Sequence, residues 1–479
     1  MATTMGVKHY PLPIAGERRP TDSAEPVVNP YDGSTVATIG VATAKDLDDA
    51  IAAAVRAFAG FRSWPRYKRK ELLLGVASRL RERRDAFIEL MIAESGKPRT
   101  YSGVEVDRAI STFTLAAEES TRTGGEVLPL DLSAGTVGYT SIVQRFPIGV
   151  VAAIAPFNFP LNLVAHKLAP AFAVGNTVVL KPPPQAPLSA LMLADACYDA
   201  GLPPDALSVV HAPIPVAERL ATDERIAMLS FTGSARAGWH LKSIAGKKKV
   251  VLELGGNAAA VVAKDADLEW AAKRCALGSF AQSGQVCIKV QRILVERDVY
   301  DRFSELYRKE TKALGVGDPA QGTTVVGPLI DTANADRIES WIGEAVKEGA
   351  TLVAGGVRRG NIIEPTILTG TKPAMKVEAE EVFGPVATLT PVDSIDEAFA
   401  RVNETRYGLQ AGVFTFDVRI VAKAFEELQV GGVIVGDYPT LRVDNFAYGG
   451  IKDSGFGREG VRYAMEEMTD LKTLVVKYR

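Results

Sequence analysis

The chain has 479 residues, 47% of them hydrophobic and 23% charged, with a formal net charge of −2 at neutral pH. That length is too great for one ordinary core and predicts about three domains, in a composition typical of a globular enzyme. The near-neutral balance gives no basis for a nucleic-acid binder, which carries a basic surplus. Three scattered cysteines argue against a disulfide framework or a zinc site and fit a reducing compartment.

Residues 1–26 are polar and lack the apolar run of a signal peptide. The longest uncharged stretch, 146–165, contains Pro147, Pro156 and Pro160, so no membrane helix is expected and a cytoplasmic location is. Thr43 is placed to cap a helix over 43–58, with Leu47, Ile51, Ala54 and Val55 on one stripe. A second helix is predicted over 67–94, stopped by Gly96 and Pro98, and a third over 104–122. Residues 124–145 break this pattern with glycines and a proline, and the run 137–146 predicts a β-hairpin arm. Strands over 150–154, 177–180, 207–211, 227–231 and 250–254 alternate with helical segments and predict a parallel, doubly wound sheet. A helix over 268–282 leads straight to Cys287. Strands over 292–295, 387–391, 411–416 and 432–435, with helices over 299–313, 336–348 and 395–403, predict a second α/β unit. A strand over 471–476 has no pairing partner nearby in the sequence.

Several of these segments carry chemistry. Cys287 stands in Gly284-Gln285-Val286-Cys287, in a loop after a helix. An ionised thiol there can attack an aldehyde carbonyl, although a lone intracellular cysteine is commonly buried and inert. Cys197 and Cys275 fall on apolar helix faces and are expected to be inert. Glu253 ends an apolar strand before Gly255-Gly256, where its carboxylate can activate water against a thioester or serve as a cap or ion-pair partner. Asn158, in Pro156-Phe157-Asn158-Phe159-Pro160, is either a turn residue or an amide donor to an oxyanion. Phe231-Thr232-Gly233-Ser234 ends a strand and opens a helix whose N-terminus can accept a pyrophosphate. Four residues separate Gly233 from Gly238, which is not the common dinucleotide spacing Gly-x-Gly-x-x-Gly.

On the Cys287 loop, Glu253-Leu254-Gly255-Gly256 and the Asn158 segment, the chain resembles the NAD(P)-dependent aldehyde dehydrogenase superfamily from about residue 27 onward. The resemblance implies an α/β fold with a doubly wound dinucleotide-binding domain (1–123 and 146–254) and a second α/β catalytic domain (255–440). It adds a β-arm oligomerisation element with the C-terminal segment (124–145 and 441–479). Cys287 is then the nucleophile, Glu253 the base for hydrolysis, and the Asn158 amide with the Cys287 backbone N–H the oxyanion donors. Lys167 and Glu459 match a proton relay, or are an ordinary ion pair. NAD or NADP would be held by Lys181, Gly233, Ser234, Gly238 and Phe157, with Glu381 and Phe383 at the nicotinamide ribose and ring.

Many NAD-preferring relatives carry a glutamate three residues past the lysine, where this chain has Pro184. Proline carries no charge to repel a 2′-phosphate, so NADP is expected to be accepted. Coenzyme-A-acylating relatives lack the glutamate matched by Glu253, so a free acid is the expected product. An acylating enzyme and a catalytically idle scaffold of the same fold are the alternatives. Residues 287–292 and 448–455 look like a subgroup acting on lactaldehyde- and phosphonoacetaldehyde-like substrates. A small polar or anionic aldehyde is therefore expected, oxidised through a thiohemiacetal and a thioester. Arg108, His166 and Arg442 are candidate anion anchors, or else helix decoration, an interior histidine and a loop support. No metal, nucleic acid or membrane partner is expected. An exposed arm and an unpaired tail strand need cover, which points to a homodimer or homotetramer.

Overall fold

The computed structural model describes residues 7–122 and 124–478. Thr43 caps the helix Ala44–Phe61 in a reciprocal capping box with Asp46. Leu47, Ile51 and Ala54 are buried beneath it, whereas Val55 is 40% exposed, so the buried stripe is narrower than the sequence suggests. The expected helix over 67–94 is two helices, Arg66–Glu82 and Arg84–Ser95, broken at Arg83 (φ −106°, ψ 16°). No glycine or proline marks the break. It is held in space by Arg83 pairing with Asp199 and by a fork of hydrogen bonds from Arg84 to Asp107 (2.8 and 2.9 Å). The second of these helices stops at Gly96, in the left-handed region (φ 65°), where a Cβ would be strained. The next helix, Arg99–Arg122, begins directly after Pro98, earlier than expected.

A six-stranded sheet forms the first α/β unit. In spatial order it runs Leu207–Val209, Thr177–Lys181, Val150–Ile154, Ile226–Thr232, Lys249–Glu253 and Gly455–Phe456. The first five are parallel and the last is antiparallel. Taken in chain order, the parallel strands lie 3-2-1-4-5, the doubly wound arrangement. Its topological switch point falls between Val150–Ile154 and Ile226–Thr232, and ligands bind such sheets at the carboxyl ends beside that point. Pro156-Phe157-Asn158 and Thr232-Gly233-Ser234 both leave the sheet there.

A seven-stranded sheet forms the second unit, in the order Thr351–Ala354, Thr366–Thr369, Val386–Val392, Arg292–Glu296, Ala259–Val262, Gln410–Phe414 and Gly432–Val435. Only the first pairing is antiparallel. Ala259–Val262, absent from the expected strands, sits near its centre. The hairpin arm, Glu126–Pro129 with Tyr139–Pro147, does find a partner for the tail. The strand Thr469–Lys477 pairs antiparallel along the whole of Tyr139–Pro147. The segment before that strand has a different task. Gly455–Phe456 adds to the six-stranded sheet against Leu252 and Glu253 and carries residues 448–459 up to the carboxyl end of the strand Lys249–Glu253. Among the described residues no helix is long and apolar enough to cross a membrane.

Candidate active site

The loops at the switch point and the facing edge of the second unit enclose a cleft of about 610 Å³. Cys287, Glu253, Asn158, Phe157, Gly233, Ser234, Glu381, Phe383, Arg108 and Arg442 all contribute to its lining. Cys287 reaches the cleft by a route that the sequence did not signal. The helix Leu268–Phe280 ends short of the expected 282. Gln282 (φ 53°), Ser283 (φ 58°) and Gly284 (φ 65°) then adopt left-handed backbone in succession. Two non-glycine residues in that region are costly and cluster at functional sites. The chain swings round and closes a tight turn from Lys289 N–H to the Val286 carbonyl (3.0 Å). Cys287 occupies the turn's second position, where its own N–H takes no part in the turn's hydrogen bond.

The thiol stands 3.2 Å from the Tyr448 hydroxyl. Burial pushes its pKa up to about 11, against the opposing pull of the Tyr448 hydrogen bond and the Arg442 charge. Cys197 and Cys275 are fully buried in the core, where burial holds both thiols neutral.

Glu253 is buried with neither carboxylate oxygen hydrogen-bonded. Burial raises its pKa well above the usual carboxylate range, and the nearby Glu459 charge raises it further. Glu459 is the opposite case. Burial pushes it up, but Lys167 at 3.2 Å and Arg442 at 2.9 Å outweigh burial and hold it ionised. Of the two carboxyls, Glu253 is therefore the one that holds a proton more readily. Lys167 also donates to Ser230 Oγ (3.1 Å), and Lys167 and Glu459 form a fully buried ion pair behind Glu253.

The Asn158 amide donates one N–H to the Gln285 carbonyl (2.9 Å), which leaves its second N–H for another acceptor. Its loop is pinned from behind by groups the sequence reading missed. Lys97 Nζ donates to the Asn158 carbonyl (3.0 Å) and pairs with Glu105. Glu105 in turn accepts the Leu161 and Asn162 N–H groups (2.9 Å each), capping the helix Asn162–Val174. Gln282 donates to the same Asn158 carbonyl. Lys97 lies between Gly96 and Pro98, a stretch whose only readable signal was a helix stop.

The region fits a dinucleotide. Ser234 caps the ten-residue helix Ala235–Ile244, whose N-terminus opens on the cleft. A Cβ at Gly233 would collide with the Phe231 ring, and one at Gly238 with Leu254. Glu381 accepts the Gly256 N–H (2.9 Å), and a Cβ on Gly255 would collide with its carboxylate. Burial raises the Glu381 carboxyl to about 7. Phe383, with positive φ (48°), meets Phe157 edge-on at 5.9 Å between ring centroids. Lys181 and Pro184 lie outside the cleft, at the end of the strand Thr177–Lys181. Burial lowers the Lys181 ammonium to about 8, while Pro184 is exposed.

The three candidate anion anchors divide. Arg108 lines the cleft, with Nη2 2.5 Å from Asp444. Arg442 also lines it, and its Nε is buried with no partner. His166 does not line the cleft; it is buried, with Nε2 2.8 Å from the same Asp444 carboxylate that Arg108 pairs with. Burial pushes Asp444 up, but His166 and Arg108 outweigh burial and hold it ionised. Neither Asp444 nor the Tyr448 hydroxyl was singled out from sequence, because each acts across a loop on residues far away in the chain.

Residues 18–474 match the aldehyde dehydrogenase family. The chain is 43% identical over 477 residues to a 3-sulfolactaldehyde dehydrogenase of Priestia aryabhattai, covering 99% of this chain and 100% of that one. Among solved structures it is similar to aldehyde dehydrogenase 21 of Physcomitrella patens in complex with the reaction product succinate (44% identity, TM-score 0.97, 99% of each chain). It is also similar to a glyceraldehyde-3-phosphate dehydrogenase from Methanocaldococcus jannaschii complexed with NADP (36% identity, TM-score 0.92, 95% of this chain and 100% of that one).

Proposed function

The chain belongs to the aldehyde dehydrogenase family, and on that footing we propose that this NAD(P)-dependent enzyme oxidises small aldehydes bearing a sulfonate or carboxylate to the free acid. The observation that carries this reading is the convergence of the Cys287 thiol, the Glu253 carboxyl and the Asn158 amide on one cleft that is also lined by three arginines, Arg108, Arg337 and Arg442. The Cys287 sulfur adds to the carbonyl carbon, forming a thiohemiacetal. The second Asn158 N–H and the Cys287 backbone N–H hold the oxyanion. Phe383 and Phe157 would hold a nicotinamide ring, which would supply the acceptor for the hydride lost as the thiohemiacetal becomes a thioester. Glu253, once deprotonated, takes a proton from water as that water attacks the acyl carbon, and the thiolate leaves. Lys167 and Glu459 keep a fixed charge behind Glu253 and offer a path for its proton. Asn158→Ala is expected to lower kcat by about 10²–10³-fold with little change in KM, measured by steady-state NAD(P)H formation.

The relative acting on 3-sulfolactaldehyde and the succinate-bound relative support an anionic substrate. Arg442, with its unpartnered Nε, and Arg108 are the groups that would meet the anion, while His166 supports them through Asp444. A panel pairing succinate semialdehyde and 3-sulfolactaldehyde with butanal tests this. The charged aldehydes should win by about 10²-fold in kcat/KM, and parity with butanal would defeat the reading. Product analysis with and without coenzyme A separates it from an acylating enzyme.

Lys181 and Pro184 support use of NADP alongside NAD, since a 2′-phosphate would meet the Lys181 cation and no carboxylate at position 184. Pro184→Glu should weaken NADP binding by about tenfold or more and leave NAD within a few-fold, read as Kd by fluorescence. NADP binding unchanged by that substitution would remove Pro184 from the argument. The division into a nucleotide-binding unit, a catalytic unit and an oligomerisation arm belongs to the same reading. Exposed Val127, Ile142, Leu471 and Leu474 on the arm sheet suit burial in a homodimer or homotetramer. A thiol that must stay reduced suits the cytoplasm.

A further inference from the structure

Tyr448 is buried (2% exposed) in the wall of the cleft, and its hydroxyl is 3.2 Å from the Cys287 sulfur. Its position is fixed from several sides. Its backbone exchanges both hydrogen bonds with Glu459, Tyr448 N–H to the Glu459 carbonyl (3.0 Å) and Glu459 N–H to the Tyr448 carbonyl (2.7 Å). The Arg442 guanidinium lies over its ring, 3.8 Å from the centroid. Phe446 meets it edge-on, with ring centroids 6.2 Å apart. Val286, Ile288 and Leu409 pack around it. A side chain restrained in this way offers its O–H to the sulfur with little further loss of freedom.

We propose that Tyr448 is a further catalytic residue, whose phenol O–H donates a hydrogen bond to the Cys287 thiolate and stabilises it both as the attacking nucleophile and as the leaving group. The proposal rests on the reading of Cys287 as nucleophile. A thiolate only accepts hydrogen bonds, so the phenol is the donor. The phenol keeps its proton throughout. On attack the sulfur lone pair forms the C–S bond and the carbonyl π electrons move to oxygen. The thioester sulfur is then a poor acceptor and the Tyr448 bond weakens. When water has added and the C–S bond breaks, its electrons return to sulfur and the hydrogen bond re-forms. Burial among apolar groups keeps the phenol proton in place by raising its pKa well above the ordinary value.

The test is alkylation of the full-length protein by iodoacetamide without aldehyde or nucleotide. Cys197 and Cys275 are buried, so the reaction reports Cys287. Loss of a hydrogen bond to a charged group should raise the thiol pKa by about one to two units. A more basic thiolate is also more nucleophilic, and this recovers about half of the logarithmic loss. Tyr448→Phe should therefore react about three- to tenfold more slowly at each pH between roughly 6.5 and 9. The thiolate absorbance titration should move upward by the same one to two units. Tyr448→Leu, which removes the ring's packing as well as the hydroxyl, should show the same shift. If Tyr448→Phe behaves like the unaltered protein while Tyr448→Leu is slow, the residue acts by packing and the proposal fails. It fails equally if neither variant changes the profile. Unreactive Cys287 in the unaltered protein would overturn this proposal and the nucleophile reading together. Lack of activity with the aldehyde panel would touch only the substrate reading. If Tyr448→Leu does not fold, Tyr448→Phe decides alone.

Discussion

Cys287→Ser is expected to lower kcat/KM for every aldehyde by about 10⁴-fold or more. Serine preserves the turn and nearly the volume, but its hydroxyl is a far weaker nucleophile and its alkoxide a far poorer leaving group than sulfur. No neighbouring base readily compensates, because burial raises both cleft carboxyls whose charge reaches the thiol, Glu381 and Glu253. Nucleotide binding, followed by fluorescence, should be unchanged, which separates loss of chemistry from loss of fold. In the unaltered, ligand-free protein the thiol is pushed up to about 11. The neutral form therefore dominates at pH 7, and alkylation should climb with pH from 7 to 9 without a plateau. Residual activity within tenfold of the unaltered enzyme would remove Cys287 from the mechanism.

Glu253→Gln should have an equally large effect of a different shape. The amide is nearly isosteric but cannot accept a proton from water. The first turnover should survive and give a burst of about one NAD(P)H per active site. Steady turnover should then fall by about 10²–10⁴-fold, and intact-mass measurement should find the acyl group on Cys287. The sign of the pH dependence follows from the raised carboxyl. Glu253 is protonated at low pH, so thioester hydrolysis in the unaltered enzyme rises with pH as the proton leaves, and in Glu253→Gln that rise should be lost. An unchanged steady rate would rule out Glu253 as the base, and loss of the burst would place its role before thioester formation.

The parallel strands were legible because their apolar runs are short, bounded and separated by helical periods. Val150–Ile154, Gly432–Val435 and the helix Ile395–Asn403 have the expected bounds. Ala259–Val262 was not legible, since its Ala-Ala-Val-Val follows two glycines and has too little side chain to stand out. The break at Arg83 depends on Asp199 and Asp107, which no local pattern connects to it. The bend at Gln282 and Ser283 is enforced by tertiary contacts on residues that carry no turn signature. In the site, Cys287, Glu253 and Asn158 could be singled out because each stands in a local motif at the end of an element. The groups that tune them could not. Tyr448 meets Cys287, and Lys97 meets Asn158, only once distant loops have come together. His166 shows the converse. Its residue type suggested an anchor, and only the packing buries it away from the cleft against Asp444.

The segment 442–459 supplies Arg442 and Tyr448 to the cleft and sets Asp444 and Glu459 against Arg108 and Arg442, and the strand Thr469–Lys477 then locks onto the arm. A ribosome makes these residues only after the sulfur and its loop have already emerged. A stalled or C-terminally clipped polypeptide thus carries Cys287 without the phenol and charges that surround it in the finished molecule.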